Sequence, residues 1–387
     1  MKRALALAPA LALALALALA LASVLAPHAG AIGVAAKAAP GGSVSPDEAA
    51  WRAFLGMIVP AEGRHAVQFE TWASDSDLYT AHPRWPAAAA PKRLTRSLGG
   101  AAGHGMAAAP KVAAPGSCAR PQDGAAGNFP ADACIGEEVR HNGLAFGYMK
   151  DNGLTTIDGL VAAYARNARI ALPFGAVIAK ADWVPVTDIL KWQPRYRSAE
   201  EVRRAFYTST ATLDGAAREF ALVGVSVQVK DRPDWLWFTI EHRSNPGRCD
   251  IIGCHDSFGA AKADVAPAAT PNTDYGACEK SKAIEKLFPV FGVAKVWDNY
   301  CLKGTQVDYL DRKGRPTILG NSVVERMNHG VPIPWISCQS CHAYASFDKG
   351  GAANAGVLAH TPTGPVNPLA LEGFDRSDFV WGILSAK

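Results

Sequence analysis

The chain has 387 residues, 49% hydrophobic and 19% charged, with 36 Gly, 26 Pro and 8 Cys. That apolar fraction can fill a real core and no collagen or heptad repeat runs through it, so a collagen, a long coiled coil and a wholly disordered chain are excluded. The 39 Lys and Arg stand against 35 Asp and Glu for a formal net charge of +4, too small for an electrostatic grip on nucleic acid.

Residues 1–31 hold Lys2 and Arg3, an Ala/Leu run from Ala4 to Ala22, and the small residues Ala29-Gly30-Ala31. That order is the order of a secretory signal peptide. An uncleaved membrane anchor is the competing reading, because the apolar run approaches the length that spans a bilayer. Pro9 and the small-residue end favour cleavage, so export to the periplasm is expected. No later stretch is long and apolar enough to span a membrane.

Ser45-Pro46-Asp47-Glu48, followed by Trp51, Phe54, Leu55 and Ile58, predicts a helix from about Pro46 to Val59: an N-cap, proline in the first turn, early acids and helical apolar spacing. Ala66 to Trp72 reads as a short strand. Pro86 to Gly116 is rich in Ala, Pro and Gly and reads as a long wrapping loop. A helix is expected between Asp151 and Ile170, with Leu160, Val161, Tyr164 and Ala165 on one side. Phe174 to Val186 reads as strand. The basic run from Lys191 to Arg204 includes Glu200 and Glu201 and reads as a solvated face.

Ala221 to Val229 alternates strictly, Asp231-Arg232-Pro233-Asp234 supplies turn chemistry, and Trp235 to His242 runs back, which predicts a hairpin with a four-residue connection. The period of two places Leu236, Phe238, Ile240 and His242 on one face. His242 is then either a hydrogen-bonded core histidine or an iron ligand or proton donor. Ala260 to Asn272 reads as loop, Ser281 to Val290 as helix, and Gly292 to Tyr309 as mixed.

Export puts the cysteines where thiols oxidise. Cys118 with Cys134, Cys249 with Cys254, and Cys278 with Cys301 each bracket a short segment and suit local disulfides, although spacing alone leaves their connectivity open. Cys338-Gln339-Ser340-Cys341-His342 is different. It is the C-x-x-C-H pattern that attaches c-type haem, since thiols three apart on a helical turn share a face and the adjacent histidine is delivered to the iron as proximal ligand. With 8 Cys and 10 His in the chain, chance supplies on the order of 0.004 such pentapeptides. The other readings are a Cys338–Cys341 disulfide with His342 a bystander, a zinc site, which needs about four N or S ligands, and a thiol-disulfide redox site. Pro332, Pro334, Trp335, Tyr344 and Phe347 flank the motif and suit either a haem pocket or an ordinary core.

Cys249, Cys254 and His255 form a C-x4-C-H near-match, so a second haem there is the less favoured count. For the sixth iron position no Met follows His342, and the candidates are Met327, His329, His242, His360, Met149 and His255, or none. A Met or His would make a six-coordinate electron carrier, whereas an open position would permit oxygen or peroxide chemistry.

With these residues in view, the chain resembles a group of secreted bacterial proteins described only as cytochrome c family proteins. The likeness rests on Ala221 to Asn245, ending in Phe238-Thr239-Ile240-Glu241-His242-Arg243-Ser244-Asn245, on Leu319-Gly320-Asn321-Ser322, and on Cys338 to His342, and covers roughly half of the mature chain. It implies a single c-type haem without implying a reaction. A large non-haem body and the missing downstream Met depart from small cytochromes.

The expected protein is α+β: a β-rich body with peripheral helices and a C-terminal helical c-type haem segment. Its expected organisation is a signal peptide over 1–31, an N-terminal helix and Ala/Pro-rich wrapping segment over 32–117, a β-rich body with local disulfides over 118–310, and a haem-binding segment over 311–387. The expected function is periplasmic electron transfer through one haem on Cys338, Cys341 and His342, with a redox protein or membrane complex as partner and the haem attachment machinery acting during maturation. The alternatives are an oxidase-like or peroxidase-like haem enzyme, for which no catalytic residue is identified, and a disulfide-stapled binding module without haem.

Overall fold

Ser45 caps the first helix as its position dictates. Its Oγ accepts the Glu48 amide at 3.2 Å, Pro46 opens the first turn, and α1 (Pro46–Ile58) buries Trp51, Phe54, Leu55 and Ile58 on one side. The computed structural model describes residues 44–63, 66–87, 92–96, 135–213, 215–245, 256, 278–327, 331–360 and 362–387. These belong to one compact unit, Ala35–Lys387. The Cys118–Cys134 and Cys249–Cys254 pairs, His255, His329 and the proposed signal peptide lie outside the described residues.

The piece read as a strand before Trp72 is instead a 3-10 turn, Gln68–Thr71. The Glu70 carboxylate reaches back to the Val67 amide at 3.0 Å and closes the turn, a local alternative that alternation alone does not reveal. The chain continues through β1 (Ala73–Ser74), α2 (Asp75–Leu78), β2 (Thr95–Arg96) and β3 (Gly136–His141). Next comes α3 (Gly143–Asp151), capped by Asn142, whose Oδ1 accepts the Ala145 amide at 3.0 Å. The helix expected from Asp151 is shorter, α4 (Ile157–Ala165), because Gly153 at φ +70° breaks the path between the two and Thr156 provides a fresh N-cap.

Then follow β4 (Val177–Pro185), α5 (Val186–Trp192), α6 (Ala199–Ala205), β5 (Thr208–Leu213), β6 (Ala216–Val229) and β7 (Leu236–His242). Beyond them are α7 (Lys282–Glu285), α8 (Leu287–Phe291), β8 (Tyr300–Gln306), α9 (Cys338–His342), β9 (Ser346–Asp348) and β10 (Phe374–Arg376). The fold is α+β, as expected.

Its centre is an eight-stranded antiparallel sheet in the order β1-β3-β4-β6-β7-β8, with β2 added to β3 and β5 to β6; β9 and β10 pair separately. The expected hairpin is β6–β7, with Val229 opposite Leu236, so the connection runs over residues 230–235 rather than four. Lys230 Nζ donates to the Pro233 carbonyl at 2.8 Å and braces the turn. Every residue of β7 is buried, so both faces of the sheet are covered. α1 lies against β7 and β8, and a π-helical turn, Ser322–Met327, packs on β4 and β6. Cys278 and Cys301 are joined in a disulfide with Cα atoms 5.2 Å apart.

Candidate haem site

Ser337 starts the short helix that carries the motif. Its Oγ accepts the Ser340 amide at 3.3 Å as N-cap and donates to Ser340 Oγ at 2.8 Å, while Ser340 Oγ donates to the Gly364 carbonyl at 2.8 Å. Gln306 at the end of β8 fastens this turn to the sheet, donating to Ser337 Oγ at 2.7 Å and accepting the Gln339 amide at 2.9 Å. Cys338 and Cys341 therefore stand one turn apart on α9, both unpaired.

The stretches around Thr239, Asn321 and Cys338 meet beside this helix. Asn321 Nδ2 donates to Thr239 Oγ1 and to the Ile240 carbonyl, each at 3.0 Å. The Ser322 hydroxyl donates to the Glu241 carboxylate, and the Cys338 thiol donates to the Leu319 carbonyl at 3.3 Å. These buried contacts latch the C-terminal segment onto the Thr239 and Glu241 side of β7.

Between sheet and segment lies a cavity of about 430 Å³ lined by Cys338, Cys341 and His342, within the size range of small-molecule sites. Its floor is two rows across the sheet. His141, Ile178, Gln228 and Trp237 stand in register on β3, β4, β6 and β7, and Val139, Lys180 and Ser226 form the next row. Its other walls come from the C-terminal segment, among them Trp335, Ile336, Val380, Trp381 and Leu384.

The ring of His342 lies 4.7 Å from that of Trp237. Its Nδ1 lies 2.8 Å from the Phe379 carbonyl, and because a carbonyl only accepts, Nδ1 carries the proton and Nε2 the lone pair. The carbonyl is presented by a strained corner in which Asp378 and Phe379 have φ of 52° and 69°. Asp378 secures that corner by accepting from Lys230 Nζ at 2.7 Å, the Leu172 amide at 2.6 Å and Trp235 Nε1 at 3.3 Å. Strain of this kind persists only where the surroundings over-determine it.

Burial pushes the His342 imidazole down to about 4 against the opposing pull of the Phe379 bond, so it is neutral at pH 7, the form a metal takes. Burial also raises both thiols, Cys341 to about 11 and Cys338 well above its ordinary value, with Glu325 adding to the latter. A thiol-disulfide redox site needs the opposite, a depressed thiol pKa. Among the described residues no group of three or more His, Cys, Asp or Glu is arranged to hold a metal ion directly, as zinc would require. The donor set fits haem better: two free thiols on one helical turn, an imidazole with its lone-pair nitrogen fixed, and a mainly apolar cavity against them.

Lys180 and Glu325 are polar exceptions in that cavity. Burial pulls the Lys180 ammonium down, but Glu137, at 3.3 Å, with Glu325 and Asp182, more than offsets this and holds its pKa above the usual lysine value. Glu325 accepts from Ser226 Oγ at 2.8 Å and from the Asn321 amide at 2.7 Å.

The candidates for the sixth position fall elsewhere. His242 is a core histidine: Nε2 donates to the Ala205 carbonyl at 2.9 Å, Nδ1 accepts the Ser244 amide at 3.1 Å, and the ring stacks on Phe206 at 3.5 Å. Met327 sits among Val323, Ile189 and Trp192. Met149 packs with Phe146 and Leu160, and His360 is exposed. None of these four lines the cavity. Sequence reasoning passed over His141 and Lys180, which do. Their strands become neighbours only through long-range pairing, and nothing local marks either residue.

No family model, curated protein or solved structure matches the chain. Among the described residues no helix is long and apolar enough to cross a membrane.

Proposed function

We propose that the protein is a periplasmic c-type haemoprotein that carries electrons through one haem, held by thioether bonds to Cys338 and Cys341 with His342 as proximal ligand. The observation that carries this reading is the pair of unpaired thiols on α9 and the oriented imidazole of His342, all lining one cavity. A bound haem supplies a one-electron iron couple. The chain's own residues do the rest. The Phe379 carbonyl orients His342, and Trp237, Trp335 and Trp381 supply apolar walls to the cavity. A soluble redox protein or a membrane complex would exchange the electron, and haem attachment machinery would act during maturation outside the cytoplasm. The leader-like residues 1–31 support that location.

The cavity's partly buried charges favour a second reading, a haem enzyme with an open sixth position. Lys180 beside Glu137 offers a proton donor to a small oxygen ligand.

Expression in a strain competent for c-type haem maturation tests the first claim. A pyridine haemochrome and a mass increase of one haem per chain, lost in the Cys338→Ala, Cys341→Ala double variant, are expected. Colourless protein with Cys338 joined to Cys341 would overturn both haem readings and leave a disulfide-stapled binding module. Two haems on the parent chain, one of them kept in the double variant, would return Cys249, Cys254 and His255 to the account. Rapid turnover of peroxide would favour the enzyme.

A further inference from the structure

We propose that His141 would supply a second imidazole nitrogen to a haem iron held by His342; this rests on the haem reading above and names the ligand that would make it a carrier. His141 ends β3 and is fully buried, yet it lines the same cavity as His342. Its Nε2 donates to Asp75 Oδ1 at 2.7 Å, which leaves the lone pair on Nδ1. That Nδ1 is buried and has no hydrogen-bond partner among the described residues. An unpaired buried polar atom is costly, and in a folded protein such an atom calls for an explanation.

Metal ligation provides one. A ligating histidine gives its other N–H to a carboxylate or a backbone carbonyl, which fixes the tautomer and makes the free nitrogen a better donor. The two imidazoles that line this cavity are both built that way, His342 on the Phe379 carbonyl and His141 on the Asp75 carboxylate. They approach it from different elements. His342 lies against Trp237 on β7, and His141 stands at the β3 end of the same row, three strand spacings or about 14 Å away at the backbone. Tyr79 packs edge-on against the His141 ring at 6.0 Å and 75°, which holds its plane.

The test is spectroscopic. The haem-loaded parent should be low-spin in ferric EPR, and its ferrous form should not bind carbon monoxide. His141→Ala should keep its covalent haem, turn high-spin and bind carbon monoxide, and added imidazole should restore the low-spin signal. His360→Ala should change none of this. Asp75→Asn, at a half-buried position and so a milder change, should stay low-spin with a raised reduction potential and a shifted near-infrared ligand band. It decides the matter if His141→Ala does not fold. A high-spin parent, a low-spin and carbon-monoxide-inert His141→Ala, or an Asp75→Asn protein with unchanged potential and band would overturn the assignment while leaving the covalent haem in place. A colourless parent would overturn the haem reading and this inference with it.

Discussion

Each cysteine of α9 is a protonated thiol at neutral pH because its surroundings are apolar, and that sets its reactivity before any haem arrives. With Cys341 near 11, the thiolate fraction falls as pH falls below that value. In the reduced, haem-free protein, alkylation at pH 8 should be about two orders of magnitude slower than for an exposed cysteine, and should keep accelerating as pH rises towards 11. A rate that levels off below pH 8 would point to an activated, redox-type thiol. Asp378 is the second residue whose role can be isolated, since it holds the strained corner behind His342. Asp378→Ala leaves the buried Lys230 ammonium without its carboxylate, a loss of about 3–5 kcal/mol that urea denaturation would measure. Asp378→Asn keeps an acceptor for the Leu172 amide and should lose less. In haem-loaded protein, freeing the Phe379 carbonyl should also raise the reduction potential, because His342 becomes a weaker donor.

The joint between β7 and the π-helical turn Ser322–Met327 holds the turn that brings Glu325 to the cavity. Asn321 bridges it, donating to β7 while its Oδ1 accepts the Val323 and Val324 amides at 2.9 and 3.2 Å. β6 makes room for it with Gly224, where a Cβ would stand 2.8 Å from the Asn321 amide. Asn321→Ala should cost about 3 kcal/mol, since several buried backbone groups lose their partners at once. Hydrogen exchange should then speed up in residues 331–342 and leave α1 protected; uniform loss across the chain would mean that no such joint acts. At this scale the sequence is readable where a signal is local. Pro46–Ile58 follows from its cap and spacing, β6–β7 from alternation around a proline turn, and α9 from the motif it carries. α3 escapes because Gly143 and Gly147 dilute its helical signal. The cavity floor escapes for a deeper reason. The strand read over Phe174 to Val186 includes Lys180, but no signal marks β3, and only the register between β3 and β4, set by contacts distant in sequence, places His141 and Lys180 beside the motif.

At the scale of the whole molecule the four described cysteines divide by environment rather than by type. Cys278 and Cys301 close a 23-residue loop, and Lys280 within it donates to the Cys278 and Asp298 carbonyls at 3.0 and 2.7 Å, so the disulfide ties the approach of α7 to the sheet edge at β8. Neither cysteine lines the cavity beside α9. A disulfide closing a loop of this length contributes about 3 kcal/mol by restricting the unfolded chain, whereas thioether bonds to a porphyrin resist thiol reductants. Stability and colour should therefore respond separately to reduction. Treating haem-loaded protein with excess dithiothreitol should lower its unfolding free energy by about 3 kcal/mol and leave haem content and spectrum unchanged. The Cys278→Ala, Cys301→Ala variant should show that loss without reductant, and any further loss with reductant would report the Cys118–Cys134 and Cys249–Cys254 pairs. If reduction instead released haem, Cys338 and Cys341 would not be bonded to it. If the variant lost haem on folding, the β8 edge would have to support the cavity through contacts more extensive than Gln306 alone.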